Sequence, residues 1–345
     1  MLESFRDSPF PLFCSAEAAL AAELARSLLD RRLVVVTGKG GTGKTTVAAS
    51  LAMAGARTGQ KILVVEIGRD EQIPRLFAPN APPAGYAGRL LAPGITAMKI
   101  DPFAALAEYL GLQIGVQSLV DLVLKNPAFR QFMNATPGWR ELITLGKIWH
   151  LEQMRDEHDR PRYDLIVVDA PATGHGITFL DAPRVVVSAV RAGPLHRQSQ
   201  RVEEMLADPD RSVLLPVALA EELPARETLE LVRQVDKSLG LAIDCIVVND
   251  VVRFPFPPGL EDLDQKLAKL GDVPLGRLPN ATTLARCAST VRLRSELNQR
   301  YLEEIARETG LPVTVLPRLP DGIQGVADLE TLSHGLFADP QASSP

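Results

Sequence analysis

The chain has 345 residues, 46% hydrophobic and 23% charged, enough to bury one large core or two modest ones. Its 37 basic against 42 acidic residues give a formal charge of −5, which excludes a global electrostatic footprint for nucleic acid or an anionic membrane. A soluble globular protein without a nucleic-acid partner is the expected class.

Residues 1–30 read as a helical extension with an amphipathic helix over Ala16–Leu29. This segment has acids where a signal peptide needs a basic start, its apolar run Pro9–Phe13 is short and proline-broken, and no later stretch is long enough to span a bilayer. A cytoplasmic protein with at most transient membrane contact is therefore expected. From residue 31 to 336, short Val/Ile/Leu runs alternate with longer amphipathic ones, the pattern of an α/β, doubly wound, mostly parallel sheet. Strand Leu33–Thr37 runs into the glycine-rich turn Gly38–Thr46, Gly-Lys-Gly-Gly-Thr-Gly-Lys-Thr-Thr, which opens a helix. That is a phosphate-binding loop. Gly38, Gly40, Gly41 and Gly43 let successive N–H groups, including those around Thr42 and Thr46, converge on polyanionic oxygens. Lys44 adds a point charge near the β- and γ-phosphates of ATP or the β-phosphate of ADP, and Thr45 offers a hydroxyl to Mg²⁺. The extra Lys39 marks the deviant form of this loop, in which that lysine reaches across a dimer interface to the partner's nucleotide.

Further strands are expected at Ile62–Ile67, Ile95–Ile100, Leu165–Asp169, Val185–Val190, Val213–Ala218, Ile243–Asn249, Val273–Leu275 and Val313–Leu316. Residues 78–93, rich in Pro, Gly and Ala, read as a mobile loop, and residues 103–157 and 194–209 as helical insertions. Leu106, Leu110, Ile114, Leu119, Val120, Val123 and Leu124 recur at largely helical spacing in the first insertion. They fit either a plain helical core or a groove for a client. Strand Leu165–Asp169 ends in a carboxylate at the sheet edge, where Asp169 can hold a Mg²⁺-bound water. In the Pro/Gly-rich switch after it, Gly174 can present an N–H to the γ-phosphate, and His175 has a conformational role. Residues 337–345 are expected to be disordered, and no internal repeat is present, so paired sites must come from a homodimer. Cys14, Cys245 and Cys287 are scattered, which suits buried thiols better than disulfides or a metal site.

The chain resembles the ArsA/GET ATPases, which include the arsenite-pump ATPase and the factor that targets tail-anchored membrane proteins. The resemblance rests on Gly38–Thr46, on Asp169–His175 (Asp-Ala-Pro-Ala-Thr-Gly-His), on Pro137–Glu141 (Pro-Gly-Trp-Arg-Glu), and on Leu316–Val326. It implies a Mg²⁺-dependent ATPase, Asn249 as an adenine-recognising amide, and the loop Pro317–Ile323, with Pro317 and Pro320, as a wall of the base pocket. An amide carries both a donor and an acceptor matched to the adenine edge, so the residue type agrees.

The departures are specific. The family's water-positioning aspartate after the second strand aligns with Gly68 here, within Glu66-Ile-Gly-Arg-Asp-Glu. Either Asp70 has taken over, or Glu66 acts from the strand end, or hydrolysis is slow, in that order of preference. The chain also lacks the paired cysteines that a zinc clasp or an arsenite site needs, so no zinc is expected. Three downstream roles follow: capture of a client, such as a hydrophobic membrane-protein segment; a nucleotide-gated positioning module with slow turnover; or an energising subunit of an ion transporter, which the missing thiols disfavour.

Overall fold

Alternation along β1 (Leu33–Thr37) sets the architecture, because every one of its residues is buried and successive side chains enter opposite cores. In the computed structural model the described residues are 27–337, apart from 69, 137, 173–174, 253–259 and 261; of Gln117, Phe132, Asn134, His175, Ser238 and Phe337 only the backbone is described. The other strands are β2 (Ile62–Glu66), β3 (Arg89–Ala92), β4 (Ile95–Lys99), β5 (Leu165–Asp169), β6 (Ser212–Leu219), β7 (Ile246–Val251) and β8 (Val313–Pro317). Among the described residues they form one sheet in the order β3-β4-β2-β5-β1-β6-β7-β8, parallel except for β3.

Val34 and Val36 face a core shared with α1 (Lys44–Arg57) and α12 (Val326–Phe337) through Val47, Leu51, Leu329 and Leu332. Leu33 and Val35 face the opposite core. There they meet α6 (Trp139–Gln153), α7 (His175–Ala189), α8 (Pro194–Ala207) and α9 (Glu222–Ser238) through Ile148, Phe179, Met205 and Val235. After α10 (Leu263–Leu270), the long α11 (Ala281–Thr309) covers β7 and β8 with Leu302 and Ile305. Helices on both faces make the doubly wound α/β architecture expected from the alternating apolar runs.

Between β4 and β5 the chain forms α3 (Pro102–Ile114), α4 (Gln117–Lys125), α5 (Pro127–Ala135) and α6. Asp101 starts α3 by accepting a hydrogen bond from the Ala104 N–H at 2.8 Å, with Pro102 in the first turn. Phe103 meets Trp139 edge-on, 4.9 Å between centroids, which closes this helical region back on itself. Helix α8, expected as part of an insertion, buries Val202 and Met205 in the layer beneath the sheet.

Three local expectations are corrected. The valine run 185–190 is not a strand: residues up to Ala189 belong to α7, where Phe179, Leu180 and Ala182 point inward and Val185 is 55% exposed. A parallel strand here would be buried on both faces, so tertiary context overrides the β-branched preference. Val273–Leu275 is likewise no strand, for only an isolated antiparallel bridge joins Leu275 to Leu278, ahead of α11. Residues 78–93, expected as a mobile loop, contain β3, paired with β4 across a register shift between Leu90 and Ala92. The rest of that loop is tied down, since the Glu71 carboxylate accepts from the N–H groups of Ala84 and Gly85 at 2.5 and 3.1 Å. Of the expected helix Ala16–Leu29 only the last three residues are described, with Leu28 and Leu29 buried; residues 338–345 of the expected disordered tail lie outside the described residues.

Candidate functional site

The strand order reverses beside β1: the chain builds β2 to β5 on one side of it and β6 to β8 on the other. Ligand crevices in open α/β sheets lie at such a point, outside the carboxyl ends of the strands. Residues 38–43 occupy that position between β1 and α1. Gly43 precedes α1 at φ 87°, and the helix has no side-chain cap and no acid in its first turn, so its leading N–H groups have no side-chain acceptor, an arrangement that suits an anion. Gly38, at φ 150°, passes so close to the Val217 carbonyl that a Cβ there would collide with it. A Cβ on Gly43 would strike the Asn249 amide. The loop is thus wedged between β6 and β7 as well as anchored to β1.

Lys39, Thr42, Lys44 and Thr45 each have a side-chain partner within the chain. Lys44 Nζ donates to the Lys39 carbonyl at 3.0 Å, and Thr42 Oγ1 donates to the same oxygen at 3.0 Å. Burial pushes the Lys44 ammonium below the usual lysine range, an effect that the nearby Asp169 carboxylate partly offsets. Thr45 Oγ1 donates to Asp169 Oδ2 at 2.6 Å, which joins the start of α1 to the end of β5. Burial holds the Asp169 carboxyl above the usual carboxylate range, opposed by the Thr45 hydroxyl and the Lys44 charge. Asp169 Oδ1 is shielded from solvent and has no hydrogen-bond partner among the described residues. A hydroxyl and a carboxylate with an orphaned oxygen form a hard-oxygen donor pair that fits Mg²⁺, whose remaining ligands are typically water and phosphate. Thr46 follows, half-buried, in the first turn of α1, and Gly40 and Gly41 are exposed at the loop's crest.

Asn249 lies inside β7 rather than at its end, and its Nδ2 donates to the Thr42 carbonyl at 3.1 Å. Pro317, the last residue of β8, pairs in register with Val251. The Arg318 N–H donates to the Val251 carbonyl at 2.9 Å, and the Arg318 guanidinium lies 3.6 Å from Asp250, a residue in the left-handed region at φ 58°. The structure thus gathers Asn249 and Pro317 on adjacent strands, with Pro320 exposed in the following turn. Gly174, expected to meet the γ-phosphate, and Pro137 of the Pro137–Glu141 motif lie outside the described residues.

Glu66 and Asp70 have different surroundings. Glu66 is 4% exposed and sits opposite Asp169 in the β2–β5 register. Its Oε1 accepts from the Gln72 N–H at 2.6 Å and the Ile73 N–H at 3.1 Å, which fixes the turn into α2 (Ile73–Phe77). Burial raises this carboxyl to about 7; the two N–H groups act against the rise, and the charges of Asp169 and Glu71 add to it. Asp70 is exposed on the loop, at the rim of a cleft lined also by Glu71, Arg75 and Lys99. Lys39 Nζ is 2.5 Å from Glu227 Oε1 on α9. Glu227 escaped sequence reasoning because it lies in an amphipathic helix without a motif, and only the fold brings it to the loop.

The profile of the anion-transporting ATPases, the ArsA family, matches residues 31–196. The ATPase BagA of Mycobacterium tuberculosis is 32% identical over 324 residues, covering 88% of this chain and 92% of that protein. The chain belongs to the ArsA ATPase family. A more distant relative is the ATPase GET3 of Kluyveromyces lactis, 24% identical over 352 residues, which cover 91% of this chain and 92% of that one. The matched stretch 31–196 includes the phosphate-binding loop, Glu66, Asp169 and the helical region between β4 and β5, so the family's profile spans both the site and the helices beside it.

The Glu66 environment yields a pH-dependent expectation. Its carboxyl holds a proton up to about 7 when folded, against a reference of 4.5, so its contribution to stability is present below 4.5 and lost as pH rises toward 7. Glu66→Gln keeps an acceptor for both N–H groups and cannot ionise. In nucleotide- and magnesium-free protein the variant should melt at a higher temperature than wild type near pH 8, with the gap closing near pH 5. A gap of equal size at both pH values contradicts this.

Proposed function

We propose that the chain hydrolyses ATP as a magnesium-dependent homodimer and couples closure of that dimer to capture of a hydrophobic protein segment. The observation that carries the ATPase reading is the Thr45–Asp169 pair with its orphaned Oδ1, set beside Lys44 at the mouth of an uncapped helix. Mg²⁺, held there by Thr45 and Asp169, would neutralise phosphate charge that develops in the reaction. The chain's own groups do the rest. The backbone N–H groups of residues 40–46 receive the phosphates. Lys44 exchanges the Lys39 carbonyl for phosphate oxygens, and Thr45 and Asp169 would hold the ion. Asn249 exchanges the Thr42 carbonyl for the adenine edge, with Pro317 and Pro320 beside the base. Lys39 acts on the partner's nucleotide. BagA and GET3 are both named ATPases, and their likeness across nearly the whole chain supports this reading.

Capture of a hydrophobic segment is supported by the helices between β4 and β5. Leu112, Leu119 and Leu122 are 66%, 49% and 68% exposed on α3 and α4, while Val120 anchors the region inward. Exposed leucines on two successive helices favour an apolar partner. Among the described residues no helix is long and apolar enough to cross a membrane.

A second reading, a nucleotide-gated positioning module with slow turnover, is favoured by the loop after β2. Gly68 stands where the resemblance places a water-orienting aspartate, Asp70 is exposed, and Glu66 is committed to the turn into α2.

Three experiments test these readings. Lys44→Ala should abolish nucleotide binding, whereas Lys39→Ala should retain binding but lose ATP-dependent closure and turnover. In mixed dimers, Lys39→Ala protomers paired with wild type should regain activity at one of the two sites; identical behaviour in mixed and pure dimers excludes a trans role. Asp70→Asn should keep nucleotide affinity and lower phosphate release on the order of 10²-fold. Unchanged turnover in Asp70→Asn, with Glu66→Gln inactive, assigns the water to the strand end; a wild type without turnover selects the second reading. For the client, Leu119→Ser with Leu122→Ser should weaken ATP-dependent binding of a fluorescent apolar helical peptide by about tenfold or more, given the apolar area removed. Binding that is indifferent to both changes places the client elsewhere.

A further inference from the structure

A lysine meant for a partner's nucleotide must rest somewhere before the partner arrives, and in this chain it rests on α9. Lys39 Nζ lies 2.5 Å from Glu227 Oε1, with the lysine side chain 46% and the glutamate 24% exposed. The contact joins the phosphate-binding loop to a helix that follows β6, 188 residues along the chain. Glu227 Oε2 is shielded from solvent and has no hydrogen-bond partner among the described residues. Lys39 is therefore the counter-charge of a carboxylate that water solvates poorly on its inner side. The main chain of Lys39 is meanwhile held in its own loop, where its carbonyl accepts from Lys44 and Thr42. Backbone and ammonium have different partners, so the side chain can leave while the loop stays in place.

We propose that Glu227 is a positioning residue that parks Lys39 on α9 and thereby sets how strong an anion the partner's nucleotide must present before the dimer closes. The proposal rests on the trans assignment of Lys39 made above. One ammonium cannot neutralise two anions at once. When Lys39 swings across the interface, Glu227 loses its counter-charge while Oε2 stays shielded from solvent, and this opposes closure in both protomers. A terminal γ-phosphate brings enough charge to the far side to win the lysine; a diphosphate ends short of it. The ion pair thus makes closure selective for nucleoside triphosphate over diphosphate. It does so without touching the nucleotide.

The test is sedimentation of wild type, Glu227→Gln, Lys39→Ala and the double variant, titrated with a non-hydrolysable ATP analogue and Mg²⁺, and separately with ADP and Mg²⁺. Glu227→Gln keeps the shape and removes the charge. It should lower the analogue concentration at half-dimerisation by about three- to tenfold, the product of two weak, partly exposed ion pairs per dimer. It should also let ADP support a dimer fraction that wild type lacks. The double variant should match Lys39→Ala, because the carboxylate acts only through the lysine. An unchanged or raised midpoint in Glu227→Gln, in a protein whose wild type does dimerise, overturns the parking role alone. An effect of Glu227→Gln that persists without Lys39 overturns it as well. A wild type that stays monomeric with saturating analogue overturns the dimer reading beneath it.

Discussion

The hydrogen bond from Thr45 to Asp169 is the joint on which the site depends. It ties the first turn of α1 to the last residue of β5, so the uncapped helix and the strand that presents the carboxylate are fixed relative to each other. The bond is possible because Asp169 lies beside β1 in the parallel register, with Val36 opposite it, which places both chain ends at one edge of the sheet. Burial of that edge gives the arrangement its energetics. It disfavours the charged forms of both Lys44 and Asp169, and each charge partly restores the other. A site poised in this way gains from a polyanion and a hard cation arriving together, because each neutralises a charge the fold has left under-solvated.

The same constraint accounts for the internal contacts around the loop. Lys44, Asn249 and Thr42 donate to loop carbonyls, and Lys39 pairs with α9. These side-chain donors are each held by an acceptor of the same chain, which keeps the loop's geometry without leaving them unsatisfied. Farther out, Glu66 and Glu71 hold the backbone after β2, and Tyr86 donates to Glu108 on α3 at 2.6 Å. Lys147 on α6 donates to both oxygens of that same carboxylate, at 2.8 and 2.7 Å. The loop after β2 and the helices between β4 and β5 are thus joined by charge-assisted hydrogen bonds, which are stronger than neutral ones.

What the sequence made legible was local. The strand, glycine turn and helix start at Leu33–Thr46 carry their own geometry, and Asp169 ends a strand of four buried apolar residues, so both were readable without the fold. Where propensity and context disagreed, the reading failed. The valines after Pro183 have strand chemistry but lie exposed or half-buried rather than buried on both faces, and β3 is built from a segment whose Pro and Gly content signals a loop. The partners of known residues were the least legible. Glu66 was visible as an acid at a strand end, but not as the group that receives the N–H groups of Gln72 and Ile73. Asn249 was visible as an amide, but not as a brace for the Thr42 carbonyl, and Glu227 had no local signal. Those contacts span long stretches of chain, and only packing determines them.

The central claim is that the Thr45–Asp169 edge and the uncapped helix beside Lys44 form a magnesium-dependent ATP site. Calorimetric titration of ATP into the wild-type protein, with and without Mg²⁺ and with phosphate release followed in parallel, tests it most directly. The account predicts one nucleotide bound per chain, tighter binding when Mg²⁺ is present, and phosphate release only in its presence. Binding of the same strength with and without Mg²⁺, or no binding at all, would contradict it.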